Sequence, residues 1–278
     1  MRTRLLAGAA AGALGLATVA LAAGPASAAD EAQLSVLHGV PGLTVDVYVN
    51  GELTLDDFEP GKLAGPLALP AGTYTVAITA ADAADDSAPA IGPVDLKLAA
   101  STNYTAVAHL DASGEPTATL FTNDTSTTKP GEGRITVRHV AAAPGVDVLA
   151  GTDAVITNLE NPDEKVLNLP AGTVPASVVA TGTTEPALLG PADVNVTEGT
   201  NTILYAWGNA TADPSTLALA TQTIDGLHSD PTAVQAGELG LVADSGSTQL
   251  WPFALGALVV LGATSFVVAN RRPARAGR

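Results

Sequence analysis

The chain repeats itself, and this limits its fold more than any other feature. Leu34-Ser35-Val36-Leu37-His38 returns as Ile135-Thr136-Val137-Arg138-His139, and Val45-Asp46-Val47 returns as Val146-Asp147-Val148. Leu69-Pro70-Ala71-Gly72-Thr73 returns as Leu169-Pro170-Ala171-Gly172-Thr173, Gly92-Pro93 as Gly190-Pro191, and Asn103 as Asn201. The spacing drifts from 101 residues to 98, as short loop deletions would make it do. Two copies of one domain follow, over 31–122 and 134–225, each about 90 residues and of ordinary small-domain size. The polar segment 123–133, with Lys129-Pro130-Gly131, reads as the linker between them.

Within each copy the hydrophobic period is two. Thr44–Val49, Thr73–Ile78, Val94–Leu98 and Tyr104–Ala108 alternate apolar and polar residues, the pattern of half-buried strands. Turn signals recur at Pro41-Gly42, Asn50-Gly51, Pro60-Gly61, Ala71-Gly72 and Gly92-Pro93. Many short strands without a helical stretch predict an all-β chain of two tandem Ig-like antiparallel β-sandwich domains. Leu-Pro-Ala-Gly-Thr reads as a turn before a strand, its Leu anchored in the core. Asn50-Gly51 is a strong hairpin dipeptide; Ala150-Gly151 in the second copy predicts a longer or looser connection.

The two ends read as addresses. Arg2 and Arg4, a charge-free Ala/Leu/Gly stretch and Ala26-Ser27-Ala28 predict a signal peptide over 1–28. Residues 251–269 carry no charge and, as a helix, would reach about 28 Å, one hydrocarbon core. Arg271, Arg272, Arg275 and Arg278 follow, so 251–269 is expected to be a transmembrane helix and 270–278 a basic cytoplasmic tail. The Gly-, Ser- and acid-rich segment 226–250 is expected to form a flexible stalk. Val242-Ala243-Asp244-Ser245-Gly246 is a degenerate counterpart of a sortase motif, so a retained anchor is favoured over covalent attachment to the wall. The expected location is the cell membrane, single-pass, with the bulk outside.

Composition narrows the chemistry. There is no cysteine, which excludes disulfides, thiolate nucleophiles and Cys-ligated metals. All 28 acidic residues but only six of the 12 basic ones fall within 29–250. So negative a field excludes nucleic acid as a partner. It suits soluble, cation-attracting surfaces.

Val36 to Gly39, then Val45-Asp46-Val47-Tyr48-Val49-Asn50-Gly51, then Leu69 to Val76 give the chain a family likeness. Together they resemble the DUF4397 family, and the second copy keeps Val137-Arg138-His139, Val146-Asp147-Val148 and Leu169 to Thr173. The resemblance implies bacterial extracytoplasmic β-rich modules with no assigned chemistry. The Ala-rich style, signal and anchor are similar to those of high-GC Gram-positive surface proteins.

No Gly-x-Ser-x-Gly, His-Glu-x-x-His, phosphate-binding loop or Gly-x-Gly-x-x-Gly occurs. His38 and His139 hold equivalent places, as do Asp46 and Asp147, which predicts a strand-locking His–Asp hydrogen bond rather than a metal site. If any cation binds, calcium is the better candidate, through Asp56-Asp57-Phe58-Glu59 or the acidic loop of Asp82, Asp85 and Asp86. Sugar recognition would call for exposed aromatic rings. Tyr48, Tyr74, Tyr104 and Tyr205 fall in strand patterns, which leaves Trp207, at the place of His109, as the best aromatic for a sugar or partner contact. No catalytic, cofactor-binding or metal residue is assigned. The expected function is a non-enzymatic surface module for adhesion, spacing or binding of a cell-wall component or surface protein. A soluble-ligand or calcium-binding module is the alternative, and a hydrolase the second alternative.

Overall fold

A computed structural model describes residues 31–229. The segments expected to be signal peptide, transmembrane helix and basic tail lie outside the described residues. Among the described residues no helix is long and apolar enough to cross a membrane.

The first copy forms eight strands: β1 (Glu31–Gly39), β2 (Val45–Val49), β3 (Glu52–Phe58), β4 (Leu63–Pro70), β5 (Gly72–Ala80), β6 (Ile91–Leu98), β7 (Asn103–Leu110) and β8 (Pro116–Thr122). The second repeats them as β9 (Glu132–Ala142), β10 (Val146–Ala150), β11 (Asp153–Leu159), β12 (Glu164–Pro170), β13 (Gly172–Ala180), β14 (Ala187–Val196), β15 (Asn201–Asn209) and β16 (Ala218–Ile224). Each copy makes two four-stranded sheets, β4-β1-β7-β8 with β3-β2-β5-β6, and β12-β9-β15-β16 with β11-β10-β13-β14. Pairing is antiparallel except for β1 with β7 and β9 with β15, which run parallel.

The strand order corrects the Ig-like expectation. An immunoglobulin sandwich keeps strands 1, 2, 5 and 4 in one sheet. Here strands 4 and 5 part, because the Leu-Pro-Ala-Gly-Thr word does more than turn the chain. Strand β4 ends at Pro70 and β5 begins at Gly72, in the other sheet, so Ala71 alone carries the crossing. The Tyr74 hydroxyl donates to the Pro70 carbonyl at 2.8 Å and closes this corner, while Leu69 packs into the core. Leu169 to Thr173 make the same crossing between β12 and β13.

The hairpin after β2 turns through Asn50 and Gly51, at φ of 52° and 81°, as the dipeptide demands. Its counterpart is neither longer nor looser. Its two turn residues are Gly151 and Thr152, Gly151 standing where the first copy has Asn50.

Alternating burial fails most plainly in the central strands of the inner sheets. Strands β1, β7, β9 and β15 are buried along most of their length. The β4-β1-β7-β8 sheet packs on its own partner with one face and on the β12-β9-β15-β16 sheet of the other copy with its second. Leu37, Val107 and Phe121 of the first copy form one cluster with Val140, Ile203 and Tyr205 of the second. Sheets covered on both faces lose the two-residue period.

Polar groups thread this interface. Gln222 Nε2 donates to Ser35 Oγ at 3.2 Å, and its Oε1 accepts from Thr105 at 2.9 Å and Tyr205 at 2.6 Å. Arg138, almost wholly buried, donates to the Tyr205 hydroxyl at 2.8 Å and to Glu164 at 2.7 Å, with its guanidinium 4.3 Å from the centre of the Phe121 ring. The linker is pinned as well, since Arg134 Nη1 donates to the carbonyls of Asp124 and Ser126. The first residues of the expected stalk, 226–229, are bonded to the second copy, and the rest of 226–250 lies outside the described residues. Leu227 is buried, its N–H donates to Gly199, and its carbonyl accepts from the Thr128 N–H.

The two cores differ in density. An apolar gap of about 160 Å³ lies between the sheets of the second copy, against about 40 Å³ in the first. Val174 lines the larger gap where the first copy has Tyr74 in its core. Val174→Tyr should therefore raise stability by about 1 kcal/mol, its hydroxyl reaching Pro170 as Tyr74 reaches Pro70, and thermal unfolding reads the gain. Arg138→Ala should cost about 3–5 kcal/mol, because Glu164 loses its ion-pair partner and the interface loses its central donor; urea unfolding measures it.

Candidate functional site

The equivalent histidines do not meet the equivalent aspartates, which corrects the expected His–Asp bond. His38 Nε2 lies 2.7 Å from the Leu43 carbonyl, and its ring stacks on Phe58 with centroids 5.9 Å apart. His139 Nε2 lies 3.1 Å from the Pro144 carbonyl. Each ring therefore ties the end of its strand to the connection five residues on. Asp46 Oδ1 instead accepts the Asp57 N–H at 2.9 Å, and Asp147 Oδ1 accepts the Asn158 N–H at 2.8 Å. Asp57 and Asn158 have φ of 50° and 48°, in the left-handed region, beside register shifts in β2–β3 and β10–β11. The aspartates thus satisfy the backbone of a bulge.

The structure draws together carboxylates that the sequence places in separate segments. Asp46 on β2 and Asp56 and Asp57 on β3 bring carboxylate oxygens within 4.8 Å of one another. The β5–β6 connection approaches the same hairpin, with Asp86 Oδ2 3.9 Å from where a Cβ on Gly51 would stand. Desolvation, and then the charges of Asp46, Asp86, Asp85 and Asp56, push the Tyr48 phenol pKa up. Tyr48 is therefore a neighbour of this cluster rather than a core residue. Neither its role nor that of Thr79, opposite Asp46, was foreseen from sequence. A copy-to-copy comparison holds the signal: Asp56, Asp57, Thr79 and Tyr48 are replaced by Thr157, Asn158, Val179 and Leu149.

Trp207, the best aromatic candidate for a sugar or partner contact, is instead packed against the first sandwich. Its Cβ lies 3.3 Å from where a Cβ on Gly39 would stand, and its Cζ2 lies 2.9 Å from the same position on Gly61. Gly61, at φ 78°, leaves the notch that admits the indole.

His109 closes the set of buried histidines, its ring 2.9 Å from both the Leu110 carbonyl and the Thr119 hydroxyl. Burial holds the pKa of His38, His109 and His139 below the ordinary 6.5. Below that value the unfolded chain binds protons that the folded chain refuses. Their contribution is therefore complete above pH 6.5 and is lost as pH falls through the lowered values. The urea midpoint should drop between about pH 7.5 and about pH 5, with a shallower slope in His139→Asn; a flat profile would contradict this.

Residues 32–149 match the family model described as a domain of unknown function, DUF4397. The match runs from the second residue of β1 through the first sandwich and into β10. No curated protein matches the sequence. Over these residues the chain matches that family, consistent with a DUF4397 domain-containing protein.

Proposed function

We propose that this protein is a non-enzymatic module of the cell surface, held by its C-terminal apolar segment, in which two DUF4397-like sandwiches bind an envelope component as one rigid body. The observation that carries this reading is the interface. Gln222, Arg138, Tyr205, Thr105 and Ser35 are buried and bonded across or along it, so the copies form one body rather than two beads on a string. The buried histidines support the same reading, because His38, His109 and His139 all contact structural partners. The signal-like 1–28 and the apolar 251–269 with its arginine tail support the location and single-pass orientation.

Two measurements on the full chain test it. A C-terminal tag should resist protease added to intact cells while the sandwiches are cleaved or labelled from outside. Detergent-solubilised protein should pellet saturably with the insoluble envelope of the source cell. A cytoplasmic location of the sandwiches would overturn the placement, and absence of saturable pelleting would overturn envelope binding.

A further inference from the structure

The outer face of the first sandwich collects carboxylates that no basic side chain answers. Val45, Val47 and Val49 of β2 pack into the core, so Asp46 and Tyr48 face outward. Thr79 stands directly opposite Asp46 on β5, and cross-strand partners present their side chains on one face. Asp56 and Asp57 close on Asp46 from the neighbouring strand. Among the described residues the ion pairs are Lys62–Glu59, Arg134–Asp124 and Arg138–Glu164, none of which reaches this cluster.

A second observation is independent of the charge. Thr79 is fully buried, and its hydroxyl has no hydrogen-bond partner. A buried hydroxyl left in this state is costly, and it stands on the same face as three convergent carboxylates. Oxygen ligands lie about 2.4 Å from a calcium ion, so two ligands of one ion are at most about 4.8 Å apart. The carboxylate oxygens of Asp46, Asp56 and Asp57 meet that limit.

The second copy keeps the aspartate, as Asp147, but has Thr157, Asn158 and Val179 in place of the other three groups, and so acts as an internal control. Asp147 commits Oδ1 to the Asn158 N–H and Oδ2 to the Gly182 N–H, at 2.8 and 2.9 Å. Asp82 occupies the position of Gly182 in the first copy, and Asp46 keeps only the Asp57 donor. Val179 replaces the buried hydroxyl.

We propose that Asp46, Asp56, Asp57 and the Thr79 hydroxyl bind one divalent cation of calcium's kind on the outer face of the first sandwich. The ion takes the remaining coordination positions from water, as calcium's six to eight oxygen ligands allow. Magnesium, with its shorter and near-octahedral bonds, fits this strand-borne set less well. Asp85 and Asp86 add negative potential at the rim, and Tyr48 lies beside the ion.

The test is titration of the full chain in detergent with calcium by calorimetry, and with terbium, whose emission Tyr48 should sensitise. One site per chain is expected, with a Kd on the order of 10⁻⁴–10⁻³ M, as in extracellular modules. The double variant Asp56→Thr with Asp57→Asn installs the second copy's own residues, including an Asn proven at that left-handed position by Asn158, so it should fold. It should abolish binding, Thr79→Val should weaken it severalfold, and Tyr48→Phe should reduce the terbium signal while leaving calcium heat in place. No saturable binding up to roughly 10 mM calcium, an order above the weakest such modules, would overturn the proposal. So would undiminished binding in the double variant whose circular dichroism matches the parent.

Discussion

Arg138 lies between two sheets with almost no access to water, and much of the architecture is arranged to keep it there. A guanidinium cannot shed its charge, so its burial is tolerable only when its donors are met. Glu164 meets one, Tyr205 meets another, and the face of Phe121 lies against its plane. Phe121 belongs to the first copy, whereas the other partners belong to the second. The cation therefore stitches the halves together. Gln222 extends the same network to Thr105 and Ser35. The central strands of the inner sheets are thereby committed to one another, while their edge strands β4 and β12 stay largely exposed.

Much of this architecture could be read from residues. The period-two stretches fall within β2, β5, β6 and β7, and Asn50-Gly51 makes the tight hairpin its chemistry requires. What escaped was tertiary. The Ig-like topology failed because nothing local in Leu69 to Thr73 says whether the next strand returns to the same sheet or crosses to the other. The His–Asp pairing failed for a related reason. Equivalent residues in two copies reveal a shared role, but Asp46 serves a bulge whose left-handed residue, Asp57, carries no glycine to announce it. That Trp207 packs is the ordinary expectation for an indole, but what it packs on, Gly39 and Gly61, lies about 150 residues away in the chain and has no local signal.

The candidate site was half legible. Its acidic residues were visible, but as two separate segments. Only folding brings Asp46 to Asp56 and Asp57, and only the buried Thr79 hydroxyl separates this cluster from an ordinary solvated acidic surface. The contrast between copies sharpens the point. Backbone geometry at Asp57 and Asn158 is nearly the same, so the scaffold is shared while the carboxylates are not. The scaffold needs the aspartate that caps the bulge; the additional charges in the first copy are not needed for that task.

The interface also bears on how such a chain can exist at all. The positions that meet there are equivalent ones, occupied differently: Leu37 and Arg138, Val107 and Tyr205, Phe121 and Gln222. Two identical subunits would have to carry the same residue on both sides, and no single choice supplies both the aromatic face and the amide at the Phe121 and Gln222 position. Joining the copies in one polypeptide removes that symmetry requirement, so each half can specialise as the complement of the other. A half separated from its sibling would present Leu37, Val107 and Phe121 to water.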